Sequence, residues 1–66
     1  MIALRKNSRE ELRISLDEFR GHRLLNLRVW FEGEDGQMRP GKQGVAVRLE
    51  MAGDVVKAIQ EVSHGR

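Results

Sequence analysis

The sequence predicts an α+β domain in which four strands are followed by one C-terminal helix. Apolar and polar residues alternate through most of the chain up to Leu49, as in half-buried strands, and the apolar spacing then becomes that of one helix face. The length of 66 residues allows one domain and not two. A chain this short buries only about 60% of the surface of its unfolded form. We therefore expect it to associate with itself.

The first predicted strand follows a charged N-terminal segment. Residues 1–11 have no clear period, so we interpret them as a flexible charged arm. From Leu12 the alternation predicts a strand over residues 12–18. Phe19 falls on the opposite parity from the apolar positions. Its ring should therefore lie on the face away from the core, which requires an explanation.

The second predicted strand spans residues 23–32. Its odd positions from Leu25 to Phe31 are all apolar, so the odd face should be the core, and Trp30 then shares the outer face with Arg28. Residues 32–36 contain two glycines and three acids, a composition typical of a hairpin loop.

Two shorter strands complete the predicted sheet. Residues 37–42 form the third strand, with Pro40 at an edge or at the strand's end because proline has no N–H to donate. A glycine-containing turn at 41–44 leads into the fourth strand at 45–49. The predicted order is therefore ββββα.

The C-terminal segment has the spacing of a helix of about twelve residues. Its apolar face comprises Ala52, Val55, Val56, Ile59 and Val62. A lone helix of this length is marginally stable in water and must pack on something, either its own sheet or the helix of a second copy. The domain is predicted to span residues 12–63, with a frayed end at 64–66.

Several classes of function are disfavoured by composition. The chain has no cysteine and two distant histidines, which predicts no disulfide and no metal site. No serine stands in a nucleophile context, and the adjacent Asp17 and Glu18 point to opposite faces of a strand. We expect neither an enzyme nor a bound cofactor. No apolar run approaches the ~20 residues of a membrane span, so we expect no membrane association and a cytoplasmic location.

Basic and aromatic residues are the strongest functional signal. Nine of the twelve cations are arginine, which forks onto phosphate and stacks on flat rings. Residues 36–49 contain cations and no acid. The three aromatic residues, Phe19, Trp30 and Phe31, each lie within three residues of an arginine. A basic groove with aromatic platforms is typical of single-stranded nucleic-acid binding. These residues have other interpretations. The basic residues could form a solvated surface, Phe31 could belong to the core, and Trp30 could cover a dimer interface.

Three segments resemble one known family. They are residues 14–21 (ISLDEFRG), 27–31 (LRVWF) and 38–45 (MRPGKQGV). The order and spacing resemble the C-terminal domain of the transcriptional coactivator positive cofactor four and its bacterial and phage relatives. That domain has a Phe-basic-Gly run, an arginine before an aromatic pair, and a basic-Pro-Gly-basic-basic-Gly turn. The resemblance covers residues 12–62.

The resemblance implies a strongly curved four-stranded antiparallel sheet followed by a helix, and a homodimer whose helices meet across the two-fold axis. It also implies sequence-independent binding of single-stranded DNA in grooves on the sheets. The matched positions, together with Arg48 from its charge, give the predicted nucleic-acid-binding residues: Phe19, Arg20, His22, Arg28, Trp30, Phe31, Arg39, Lys42 and Arg48. The predicted dimer interface comprises Val55, Val56, Ile59 and Val62.

Some positions depart from the family pattern. Gln43 replaces a second basic residue and His22 a common lysine, so two phosphate contacts should be weaker or pH-dependent. The helix start at 49–53 also differs, which affects dimer geometry. The family places its DNA-contacting ring at Phe31, whereas alternation turns Trp30 outward, and the choice between the two rings stays open.

The predicted role is single-stranded DNA binding in transcription regulation, replication or repair, with the transcription or replication machinery as a further partner. The resemblance favours a bacterial, nucleoid-associated protein or a phage-encoded protein in the host cytoplasm. A protein-interaction module and a single-stranded RNA binder are alternatives, because stacking platforms do not read the sugar.

Overall fold

The computed structural model describes residues 1–65. Its elements, in chain order, are β1 (Ile2–Arg5), β2 (Glu10–Phe19), β3 (His22–Glu32), β4 (Met38–Arg48), a 3₁₀ turn (Leu49–Met51) and α1 (Ala52–Gly65). The four strands form one antiparallel sheet in the order β1-β2-β3-β4. The predicted fold class, a curved four-stranded antiparallel sheet followed by a C-terminal helix, is confirmed.

The N-terminal segment differs from the prediction of a flexible arm. It contains β1, which pairs with β2 so that Ile2 lies opposite Ile14 and Leu4 opposite Leu12. β2 also begins at Glu10, two residues earlier than predicted. The apolar alternation in β1 covers only four residues, too few for a period to stand out in the sequence.

The turn between β1 and β2 is held by the side chain of Asn7. Its Oδ1 atom accepts hydrogen bonds from the backbone N–H groups of Arg9 (2.9 Å) and Glu10 (3.0 Å). Asparagine favours turns because its short amide can bond to the backbone two or three residues on. The chain between the two strands is therefore ordered by local side-chain bonding.

The predicted third and fourth strands form one strand, β4. The turn predicted at 41–44 is a bulge inside β4, where residues 41–43 lie opposite the single residue Val29. Bulges of this kind often form at glycine, which tolerates close backbone approach. Gly41 and Gly44 therefore shape the strand without ending it.

We expect the substitution Gly44→Ala to destabilise the fold by about 1–3 kcal/mol, as overpacking does in well-packed sites. A Cβ atom at this position would lie 2.7 Å from the carbonyl oxygen of Leu27 and 3.0 Å from Cζ of Arg28. Urea denaturation measures the change. Gly53→Ala is the matched control: a Cβ there meets nothing within 4 Å, so it should stabilise α1 by about 0.5–1 kcal/mol. Equal effects of the two substitutions would contradict a packing role for Gly44.

The pairing register divides the sheet into two faces. The central β2–β3 pairs on one face, here called the apolar face, are Leu12–Val29, Ile14–Leu27 and Leu16–Leu25. The opposite, polar face carries the intervening pairs, among them Arg13–Arg28 and Ser15–Asn26. This is the division that strand alternation predicts.

The isolated chain has no hydrophobic core. None of residues 1–65 is buried. The chain exposes 5499 Å², compared with about 4,300 Å² for a compact monomer of this mass. Its radius of gyration is 13.7 Å, whereas a compact domain of this length has about 11 Å. The chain is therefore open and extended, with apolar surface left uncovered.

The helix α1 packs mainly on the 3₁₀ turn that precedes it. Its 14 residues exceed the predicted twelve, because His64 and Gly65 continue the helix instead of fraying. Arg66, the last residue of the predicted frayed end, lies outside the described residues. Within residues 1–65, no helix is long and apolar enough to cross a membrane.

Candidate nucleic-acid interface

One group of predicted residues lies around the bulge in β4. Phe31 and Lys42, with Gln43, line a groove of about 200 Å³ on the apolar face. The Phe31 residue is 40% exposed. Gly41 also lines this groove. A Cβ atom at this position would lie 3.6 Å from Cδ1 of Phe31. The absence of a side chain at Gly41 therefore keeps the ring edge accessible.

Arg39 lies opposite Phe31 in the β3–β4 register. Its guanidinium donates a hydrogen bond to the carboxylate of Asp35, and both side chains are about half exposed. Exposed ion pairs of this kind contribute little stability. Arg39 can therefore exchange Asp35 for a phosphate at small cost. We call Glu10, Phe31, Arg39, Lys42 and Gln43 the bulge cluster.

Arg28 has partners within the chain. Its Nη1 atom donates hydrogen bonds to the carbonyl oxygens of Gly41 (3.1 Å) and Lys42 (3.4 Å). These carbonyls belong to the bulge, where the regular pairing shifts. Arg28 thus fixes the bulge that carries Lys42. A phosphate would therefore have to bind Arg28 through Nε or Nη2, because Nη1 is already bonded to the two carbonyl oxygens.

Trp30 lies on the polar face, as alternation predicts, and is half-buried. The guanidinium carbon of Arg13 stands 4.1 Å from the centre of the Trp30 ring. Arg13 is itself held by Glu11, with Nε to Oε1 at 3.0 Å. This cation–π contact covers the ring, so a base that stacked on Trp30 would have to displace Arg13.

A second group of predicted residues surrounds the β2–β3 hairpin. Arg20 and Gly21 form its two-residue turn, with φ of 52° and 79°, the positive values that a type I′ turn requires. Phe19 is 58% exposed, and Arg20 lies over its ring at 5.1 Å. His22 pairs with Phe19, and Arg48 lies one step along the same face, opposite Leu24. We call Phe19, Arg20, His22 and Arg48 the turn cluster.

The two clusters do not form one groove within a chain. His22 and Phe31 are nine residues apart on β3, which corresponds to about 30 Å along a strand. Alternation also places Phe19 on the polar face and Phe31 on the apolar face. The structure therefore presents two separate aromatic and basic sites.

Two residues of the site, Glu10 and Arg13, were not predicted from the sequence. Both belong to β2, and their positions follow from its pairing with β3: Glu10 lies opposite Phe31, and Arg13 is diagonal to Trp30. The hydrogen bond from Asn7 and the charge of nearby Lys6 lower the pKa of the Glu10 carboxyl below its ordinary value. The apolar alternation starts only at Leu12, so the sequence contained no signal that β2 begins at Glu10.

Solved structures with similar folds provide independent comparisons. A PC4 homolog from Burkholderia pseudomallei matches with a TM-score of 0.89 and 26% identity, covering 97% of this chain and 86% of that one. A bacteriophage T5 homolog of the eukaryotic transcription coactivator PC4, implicated in recombination-dependent DNA replication, matches with a TM-score of 0.76 and 25% identity. That match covers 92% of this chain and 72% of the phage chain.

A more distant match and the family model complete the comparison. MoSub1, solved in complex with DNA, has a TM-score of 0.61 at 21% identity, covers 94% of this chain and 75% of its own, and supports the fold alone. No significant similarity to a curated protein sequence was found. The model of the family described as Transcriptional Coactivator p15 (PC4) matches residues 6–58. The resemblance found in the sequence is thereby confirmed, and the chain belongs to the PC4 family of transcriptional coactivators.

Proposed function

We propose that this protein is a homodimer that binds single-stranded DNA and acts in transcription regulation, replication or repair. The observation that carries the proposal is the pair of exposed rings, Phe19 and Phe31, each beside a cation, Arg20 or Lys42. Proteins that hold single strands without reading their sequence combine such rings with cations that neutralise the backbone. Each cluster meets both requirements.

The exposure of the rings favours a single strand over a duplex. A base can stack on Phe31 or Phe19 only when a flat face of the base is free. In a duplex, both faces of each base are covered by neighbouring base pairs. Lys42 and Arg39, near Phe31, would neutralise the phosphates that flank a stacked base. The family supports the same class of function, since the phage relative is implicated in recombination-dependent DNA replication.

The same geometry favours Phe31 over Trp30 as the stacking ring at this end of the sheet. Phe31 faces an open groove, whereas Arg13 already lies over the face of Trp30. Displacing Arg13 would also break its ion pair with Glu11. Phe31 can therefore bind a base with less rearrangement.

The open shape of the chain supports a homodimer. Its exposed surface exceeds that of a compact monomer by about 1,200 Å², more than the ~800 Å² that each partner buries in a standard interface. Part of this excess lies on α1, where Val56, Ile59 and Val62 are 54%, 55% and 74% exposed. Val55, the remaining member of the predicted interface, is half-buried. These four residues form an apolar stripe along α1, which a second copy would cover with its own helix.

Fluorescence anisotropy of a labelled single strand of ~20 nucleotides tests the proposal. We expect tight binding that weakens with salt, with log affinity falling by about 0.7 per neutralised phosphate on a log salt scale. Duplex DNA of the same sequence should compete poorly. The substitution Arg39→Gln should flatten the salt dependence, whereas Lys57→Gln on α1 should not.

Two outcomes would count against the proposal. Absence of binding at low salt would show that the basic residues are only solvated surface. Equal competition by duplex would exclude stacking as the main contact. An RNA strand of the same sequence, used as a third competitor, determines whether the sugar affects binding.

A further inference from the structure

An acidic side chain lies inside the groove proposed to bind an anionic strand. Glu10 pairs directly opposite Phe31, so their Cβ atoms are about 4.5–5.5 Å apart on the same face. Glu10 also lines the groove with Lys42 and Gly41. A carboxylate here repels phosphate, so its position next to the stacking ring points to contact with the base.

The Glu10 carboxylate is held in place with one oxygen free. Its Oε1 atom accepts hydrogen bonds from Nδ2 of Asn7 (2.7 Å) and Nζ of Lys6 (3.2 Å). Among residues 1–65, its Oε2 atom has no hydrogen-bond partner. The lowered pKa keeps the group ionised, so it only accepts hydrogen bonds. Lys6 also offsets part of its charge.

The bases differ in what they offer to such an acceptor. Cytosine and adenine present exocyclic amino groups, guanine presents an amino group beside a ring N–H, and carboxylates accept from cytosine N4 in protein–DNA complexes. The single N–H of thymine lies between two carbonyl oxygens, which repel a carboxylate. A base stacked on Phe31 would therefore meet Glu10 favourably only if it carries an amino group.

We propose that Glu10 makes the Phe31 groove select bases that carry an amino group over thymine. The inference rests on the proposed single-strand binding and adds a base preference to it. The selective element is a hydrogen-bond acceptor fixed by Asn7 and Lys6 beside an otherwise unselective stacking platform.

Matched pyrimidine strands test the selectivity at neutral pH. Oligo-deoxycytidine and oligo-deoxythymidine of about ten nucleotides are titrated by anisotropy against the wild-type protein and the variant Glu10→Gln. The amide can donate as well as accept, so we expect the ratio of the thymidine Kd to the cytidine Kd to fall by about threefold to tenfold, the effect of one net hydrogen bond. Glu32→Gln is the control, since it removes the same charge next to Phe31 but on the opposite face, where Glu32 pairs with Met38.

A second test uses the wild-type protein alone. Replacing cytosine by 2-pyrimidinone removes the amino group and keeps the ring. Binding should therefore weaken to the level expected when the base donates no hydrogen bond to Glu10. An unchanged ratio in Glu10→Gln, or equal binding of the 2-pyrimidinone strand and the cytidine strand, would overturn the selectivity. Failure of the wild-type protein to bind any strand would instead overturn the proposed function.

Discussion

Replacing Ile59 with aspartate is expected to abolish the proposed dimer and, with it, the cooperative unfolding transition. Ile59 lies on the apolar stripe of α1 and is 55% exposed in the isolated chain. Burying an unpaired carboxylate between two helices would cost several kcal/mol. In the isolated chain none of residues 1–65 is buried. A separated chain would therefore have no hydrophobic core to stabilise its fold. Light scattering after size exclusion and thermal denaturation followed by circular dichroism measure both effects.

Gln60→Asp supplies the control for this change. It adds the same charge to the neighbouring residue, which lies off the apolar stripe, and should leave the proposed dimer and its unfolding transition intact. A monomeric Ile59→Asp variant that unfolded cooperatively with the wild-type midpoint would show that the chain is stable alone. A variant that stayed dimeric would place the interface elsewhere.

The second large effect concerns Phe31, the ring that we propose stacks on a base. Phe31→Ala is expected to weaken single-strand binding by about 1–3 kcal/mol, which corresponds to about fivefold to 150-fold in Kd. The ring is exposed in the groove beside Lys42, so its loss should leave the melting temperature close to that of the wild type. Anisotropy and thermal melting of the same samples separate the two effects.

Trp30→Ala should affect thermal stability more than single-strand binding. Its ring packs against Arg13 within the chain, so we expect a lower melting temperature and a smaller loss of affinity. Phe31→Leu is the matched control for apolar bulk, because leucine fills a similar volume without a flat face. If Trp30→Ala lost more affinity than Phe31→Ala while both stayed folded, base stacking would belong to Trp30.

The elements with long, regular patterns could be predicted from the sequence. β2, β3 and α1 are each ten or more residues long, and each contains at least six consecutive residues with clear alternation or helical spacing. β1 has only four residues. In β4, Pro40 and two glycines suggest breaks between strands, although the chain continues through them as one strand that contains a bulge.

The residue types of the candidate site were also predictable, but their partners were not. Arginine beside aromatic residues indicates nucleic-acid binding from composition and spacing alone. Whether Arg28 faces a phosphate or a carbonyl, and whether Trp30 is open or covered, depends on cross-strand register. Register in turn depends on the bulge and on where β2 begins, and neither is determined by local composition.

The backbone of Arg20 limits how far this protein can be stabilised without affecting its proposed role. Arginine at φ 52° occupies a left-handed conformation that costs an ordinary side chain about 1 kcal/mol and that asparagine or glycine adopts more readily. The simplest gain in thermal stability therefore lies at the residue that supplies a proposed phosphate-binding cation. Selection for heat resistance alone would replace Arg20, so its presence in a strained turn is the pattern expected where activity opposes stability.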